Sequence, residues 1–229
     1  MTRYNDRAAA QAEFSVTTSP SYELLTAAEL RTHLRLPSFD DADAAEDAYL
    51  DSLIKACGNS IETTVRRPVR AQTRDLVLPA FPYGSDYKSG AWAHTGGYWW
   101  GYTSERGIVL DITPIRAVNA IRYWKDGAEE TLPAADYRVV GTGEHITRRV
   151  EIYPAEGKSW PCADYDDGEV VIAVDCGWTQ ANLPSEFQHA ARIIAGTFYN
   201  FRDEITAMTA NKVPRSAKHL IAQFSRLSV

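Results

Sequence analysis

The chain is short of cysteine, of long apolar runs and of positive charge, and each shortage narrows what it can be. Cys57, Cys162 and Cys176 are widely spaced and form no C-x-x-C pair. That argues against a disulfide framework or a cysteine zinc site, and fits assembly in a reducing cytoplasm. No stretch approaches the ~18–20 consecutive apolar residues that a membrane-spanning helix needs. The opening Met1-Thr2-Arg3-Tyr4-Asn5-Asp6-Arg7 has no apolar segment behind it, so no secretory signal and no membrane partner are expected. A net charge of −6 argues against wholesale nucleic-acid binding but leaves room for a local basic patch.

Catalytic patterns are missing as well. His33, His94, His145, His189 and His219 form no H-x-x-x-H or H-E-x-x-H. No G-x-S-x-G, Walker A or strand-to-helix G-x-G-x-x-G occurs. His33 and His189 fall on predicted helices and read as interhelical contacts. The acids between Asp40 and Asp47 lack the glycine and the closing glutamate of a calcium loop. They read instead as charges at the positive end of the following helix. Asp164-Tyr165-Asp166-Asp167-Gly168 and Gly141-Thr142-Gly143 read as turns. No catalytic, cofactor-binding or metal-ligating residue is assigned, and no cofactor is expected.

What is present is periodicity. Thr26-Ala27-Ala28-Glu29 has the form of a capping box, in which the threonine and glutamate side chains satisfy each other's backbone N–H groups. The helix it opens should end before Pro37. A second helix, from about Ala44 to Arg66, carries Tyr49, Leu53, Cys57, Ile61 and Val65 at four-residue steps, with Leu50 and Ile54 beside them. Near the other end, Pro184 suits a first helical turn, and Phe187, Ala191, Ile194, Phe198 and Phe201 draw one apolar stripe. These helices predict a bundle formed by residues 22–70 and 183–204, with a flexible arm at 1–21. The fold class is therefore α+β, because the 229-residue chain changes period between those segments.

Residues 71–182 read as an inserted antiparallel β-rich subdomain. About six short strands are expected, around 72–78, 108–110, 118–124, 137–140, 149–153 and 169–174. Asp126-Gly127 is a hairpin signal, because both central positions of that turn need positive φ. Between the first two strands, the segment 79–107 holds Tyr83, Tyr87, Trp92, Tyr98, Trp99, Trp100 and Tyr102 among glycines. Loops of that length in compact domains are usually functional. Contact with a partner protein, packing of the loop on itself and stacking on carbohydrate all fit its composition. The tail 205–229 includes a short amphipathic run in which Pro214 opens a helix and Ala217, Leu220, Ile221 and Phe224 give it an apolar side. Too short to be stable alone, it must dock on its own core or in a partner's groove.

The order of these parts resembles the tailed-phage head–tail connector (adaptor, or head-completion) family, including the adaptors of phage-like gene transfer agents. The residues that carry the resemblance are T-x-x-E-L-x-x-H-L-R-L from Thr26 to Leu36, the acid-rich gap, and Arg66-Arg67-Pro68 before a strand opening Ala71-Gln72-Thr73. Pro114-Ile115-Arg116-Ala117-Val118, Asp175-Cys176-Gly177-Trp178, the Leu183-Pro184 helix ending Phe198-Tyr199-Asn200-Phe201-Arg202, and the closing Val213 to Arg226 complete it. The 79–107 segment departs from the family's shorter connection.

The resemblance implies a structural virion protein of the particle neck, assembled in the host cytoplasm and without catalysis. Its copies would form a homo-oligomeric ring, expected to be dodecameric, beneath the portal protein. That ring would extend the DNA channel without sequence-specific binding and carry a stopper or other tail-completion protein. Val213, Arg215, Lys218, Leu220, Ile221, Phe224 and Arg226 are then expected to dock on the portal. The seven aromatics of the long loop would face the stopper or a neighbouring subunit. A tail or baseplate component, or a carbohydrate-binding module using that loop, is the alternative.

Overall fold

The computed structural model describes residues 13–37, 43–78, 81, 107–110, 112–144, 146–161, 170–200 and 214–225. They belong to two compact units, Pro20–Ala71 with Trp178–Val229, and Met1–Ser19 with Gln72–Gly177. The first is helical and the second is antiparallel β, so the fold is α+β.

The helical unit begins with α1 (Ala27–Leu34). Its capping box forms as the sequence predicts: the Glu29 N–H donates to Thr26 Oγ1 at 3.2 Å, and the Thr26 N–H donates to Glu29 Oε2 at 2.8 Å. Arg35 then takes a left-handed conformation (φ 55°) and ends the helix two residues before Pro37. In α2 (Asp43–Val65) the buried side chains are Leu50, Ile54, Cys57, Ile61 and Val65. Tyr49 and Leu53, placed on the stripe by their four-residue spacing, are only half-buried. A 3.6-residue turn drifts away from a strict four-residue step, so the buried face passes to Leu50 and Ile54.

The long C-terminal helix, α3 (Ser185–Asn200), buries Phe187, Ala190, Ala191, Ile194, Ala195 and Gly196. Four small residues in that set, Ala190, Ala191, Ala195 and Gly196, let neighbouring helices approach closely. Phe198 is half-buried, and Phe201 lies outside the described residues. The last helix, α4 (Arg215–Ile221), packs on α3, which also receives α1 and α2. Each fully buried Leu, Ile or Phe side chain here contributes about 1.5–3 kcal/mol relative to exposure.

Among the described residues the β unit holds eight strands in two sheets. β1 (Glu13–Thr18), β2 (Gln72–Leu78), β4 (Ile115–Lys125), β5 (Ala128–Thr131) and β8 (Val170–Cys176) form a five-stranded sheet in the order β1-β2-β8-β4-β5. β3 (Ile108–Leu110), β6 (Tyr137–Val140) and β7 (Val150–Pro154) form a three-stranded sheet in the order β3-β7-β6. Every strand pairing is antiparallel.

Alternation decides the inside. Val170, Ile172, Val174 and Cys176 on the central strand are buried, and both sheets send side chains into one apolar cluster that includes Ile121, Leu110 and Ile152. Phe81 stacks on Trp160 within it, with ring centroids 5.2 Å apart. Asp126 and Gly127 both have positive φ (53° and 76°), the turn their sequence predicts.

Two expectations are corrected here. The arm assigned to residues 1–21 contains β1, which pairs with β2 from Glu13↔Val77 to Thr18↔Thr73. β5 is not among the expected strands either, because Ala128-Glu129-Glu130-Thr131 lacks alternation and only Thr131 favours β structure. The first is formed by backbone pairing to an existing edge, the second by the tight turn before it.

Candidate functional site

Three features of the chain bear on function, and each is built within one unit. The first is the α4 segment. Pro214 occupies its N-cap, and the Lys218 N–H donates to the Pro214 carbonyl at 2.9 Å. One turn on, Ala217 and Ile221 are buried, followed by Phe224 in a short 3-10 turn. The Phe224 ring meets Phe187 at 4.6 Å and Trp178 at 6.0 Å, and those two rings meet each other at 5.4 Å. Trp178 is itself fixed, its N–H donating to the Val69 carbonyl and its carbonyl accepting from the Tyr22 hydroxyl, each at 2.9 Å. This aromatic triad latches the tail onto the helical core.

The docking residues read from the sequence therefore divide. Ile221 and Phe224, expected as anchors on a partner, fill this unit's own core, because Phe187 and Trp178 offer a matching apolar site. Leu220 is half-buried, and Arg215 and Lys218 are exposed, with His219 exposed beside them. Val213 and Arg226 lie outside the described residues. What α4 presents outward is a short basic face on a rigidly held support.

The second feature is a buried charge cluster that sequence reasoning missed. Arg70 is 2% exposed. Its guanidinium donates to Glu23 Oε2 at 2.5 Å and Asn59 Oδ1 at 2.7 Å, and meets Glu62 Oε1 at 3.4 Å. Glu62 Oε1 also accepts from the Val69 and Arg70 N–H groups, both at 3.0 Å. The guanidinium lies over Gly58, where an added Cβ would stand 2.7 Å from Nη1. One cluster thus ties the segment before α1, the last turns of α2 and the chain leaving that helix. The sequence signal was available: a glycine in mid-helix, one turn before a glutamate, with an arginine after the terminating proline.

The third is the seam between α1 and α3, a surface cleft of about 420 Å³ lined by His33, Leu34, Ile193, Gly196, Thr197, Tyr199 and Asn200. His33 lies beside Gly196 there, as the interhelical reading anticipated. His189 is exposed on α3. Tyr199 donates to Glu46 Oε1 at 2.8 Å, and the Arg192 guanidinium reaches Glu29 at 3.5 Å.

Burial pushes the Cys57 thiol up to about 12, which holds it protonated rather than as a nucleophile. Tyr123 is also raised to about 12, first by burial and then by its hydrogen bond to Glu130. Among the described residues, no group of three or more His, Cys, Asp or Glu side chains is placed to hold a metal ion. No helix among them is long and apolar enough to cross a membrane. Tyr83, Tyr87, Trp92, Tyr98, Trp99, Trp100 and Tyr102 all lie outside the described residues.

Comparison with known proteins places this architecture. No protein-family model matches the chain, and no curated protein matches it by sequence. Solved structures do. A chain from the neck of an empty gene transfer agent (GTA) particle, computed with C6 symmetry, superposes with a TM-score of 0.68 at 23% identity, over 95% of this chain and 97% of that one. A chain of the virion of a native GTA particle gives 0.64 at 25% identity, over 94% and 96%. A third, from the neck of a native GTA particle computed with C12 symmetry, gives 0.63 at 23%, over 95% and 97%. The chain has the fold of these proteins across nearly its whole length. The resemblance to head–tail connectors drawn from its sequence is consistent with that likeness.

Proposed function

We propose that this protein is a structural, non-catalytic component of the neck of a tailed phage or gene-transfer-agent-like particle. Its copies form a ring against the portal, extend the DNA channel without reading sequence, and offer the platform on which a stopper or other tail-completion protein sits. The observation that carries this reading is the likeness to GTA particle chains over 94–95% of this chain and 96–97% of those. Both units are shared, not just a helical bundle of common type.

Portal contact is assigned to the outward side of the tail segment. Arg215 and Lys218 supply charge there, while Ile221 and Phe224 hold the segment in place from behind. A rigid, preorganised basic face costs little ordering entropy on binding. The aromatic residues from Tyr83 to Tyr102 are assigned to the stopper or the next subunit.

The test is a charge reversal that leaves the core untouched. Arg215→Glu with Lys218→Glu should keep the protein folded and abolish its association with the portal encoded beside it, read by co-sedimentation with portal rings. Undiminished association would remove α4 from the interface. For the loop, Trp99→Ala with Trp100→Ala should lose tail attachment in a particle-assembly assay.

A further inference from the structure

Three large hydrophobic side chains stand in the open among the described residues: Val16, Trp124 and Val140, at 52%, 38% and 41% exposure. Two of them lie near opposite ends of β4, Trp124 where the exposed charges are acidic and Val140 where they are basic. At one end β4 and β5 close through the Asp126-Gly127 turn, and Trp124 is the cross-strand partner of Glu129. The exposed charges at this tip are Asp126, Glu129 and Glu130, while Lys125 and Arg122 are half-buried and Arg122 reaches Glu129 at 3.6 Å. At the other end of β4, Ile115 bridges Gly143, accepting its N–H at 2.8 Å, so the β6–β7 connection sits there. The exposed charges here are Arg138, Arg148 and Arg149, and Val140 follows Arg138 on the same face of β6. Glu144 and Glu151 are half-buried, and the Glu151 carboxylate accepts from the Tyr153 hydroxyl. β4 has eleven residues, so the two ends are separated by on the order of 30 Å along the strand.

We propose that these ends meet between adjacent copies of this chain, the acidic Trp124 tip of one on the arginine-bearing Val140 end of the next. This rests on the ring reading above. A closed ring needs a heterologous contact, in which two different patches on well-separated sides of one subunit complement each other. Tryptophan is among the residues enriched at interface hot spots, and charges of opposite sign at the two ends fix which end meets which. Two copies meeting tip to tip would instead oppose acid to acid.

The experiment uses Ala128→Cys in one preparation and Thr142→Cys in another, exposed neighbours that leave Trp124 and Val140 in place, both in a Cys162→Ser background, assembled on portal rings with a short thiol cross-linker. The mixed preparation should cross-link in pairs, neither variant alone should, and a chain carrying both cysteines should give a ladder of covalent multimers. Glu129→Arg or Arg148→Glu added singly should lose most of that ladder, and the two together should restore it. Portal-bound protein without mixed cross-links, cross-linking within a single-cysteine preparation, or a ladder indifferent to both reversals would overturn the proposal. Protein that never joins the portal would instead sink the neck reading. Where the protein never joins the portal, the same pairs are scored in concentrated protein alone, where a mixed-pair cross-link supports the head-to-tail contact and its absence overturns it.

Discussion

In the helical unit an arginine is buried to 2% exposure between two glutamates and an asparagine, whereas in the β unit Arg138, Arg148 and Arg149 all face outward. The helical unit is assembled from distant pieces of chain, residues 20–71 and 178–229. Its short α1 and α4 cannot hold themselves, so a charge cluster and an aromatic triad tie them down. The β unit needs no such ties. Its central strand β8 is paired on both sides, and alternation alone fills its core. Polar pairs such as Arg122–Asp75 at 2.9 Å and Thr73–Asp175 at 2.8 Å stay on the sheet rather than in that core. The helical unit buries the charges that tie it together, whereas the β unit keeps its ion pairs on the sheet and turns three arginines to the surface.

That contrast can be broken by mutation, and the expected costs fall in order. Phe187→Ala removes the middle ring of the triad from a fully buried site and should cost about 3–5 kcal/mol, read by urea unfolding. Glu62→Ala leaves Arg70 buried with one carboxylate gone and should cost a similar 3–5 kcal/mol or so. By contrast, Arg148→Glu on the β unit should stay within about 0.5 kcal/mol. A Glu62→Ala protein no less stable than Arg148→Glu would erase the distinction.

Smaller effects sharpen it. Gly58→Ala drives a methyl into a guanidinium that its partners hold in place, and should cost about 1–3 kcal/mol. Thr26→Ala removes the cap of α1, at about 1 kcal/mol; both are measurable as shifts in the unfolding midpoint. The least effect is a pH dependence at Glu29. Its carboxyl is held below the ordinary 4.5, chiefly by the Thr26 N–H and then by the Thr26 hydroxyl and Arg192, with burial opposing. A lowered folded-state value means that its contribution is present above about pH 4.5 and fades as pH falls through the folded value. Glu29→Gln should therefore flatten the acid limb of stability against pH, and an unchanged limb would contradict the capping role.

Local signals were legible in the sequence where neighbours along the chain decide the structure. The capping box at Thr26 and Glu29, the stop before Pro37 and the turn at Asp126-Gly127 each need only a few adjacent residues. The order of helices and most strands followed from period changes. Long-range facts did not. Nothing local says that β1 extends the sheet edge beside β2, or that Arg70 turns inward to Glu23, because each depends on partners dozens of residues away. The tail shows the boundary between the two. Its apolar side was readable from Ala217, Leu220, Ile221 and Phe224, but whether that side meets its own core or a partner required seeing Phe187 and Trp178 beneath it.

The most direct measurement is mass photometry of the purified protein, alone and mixed with portal rings from the same particle. The account predicts a portal-dependent species heavier than the bare portal by a ring's complement of copies, absent for the Arg215→Glu, Lys218→Glu protein. A portal peak whose mass does not move at any protein concentration would contradict it.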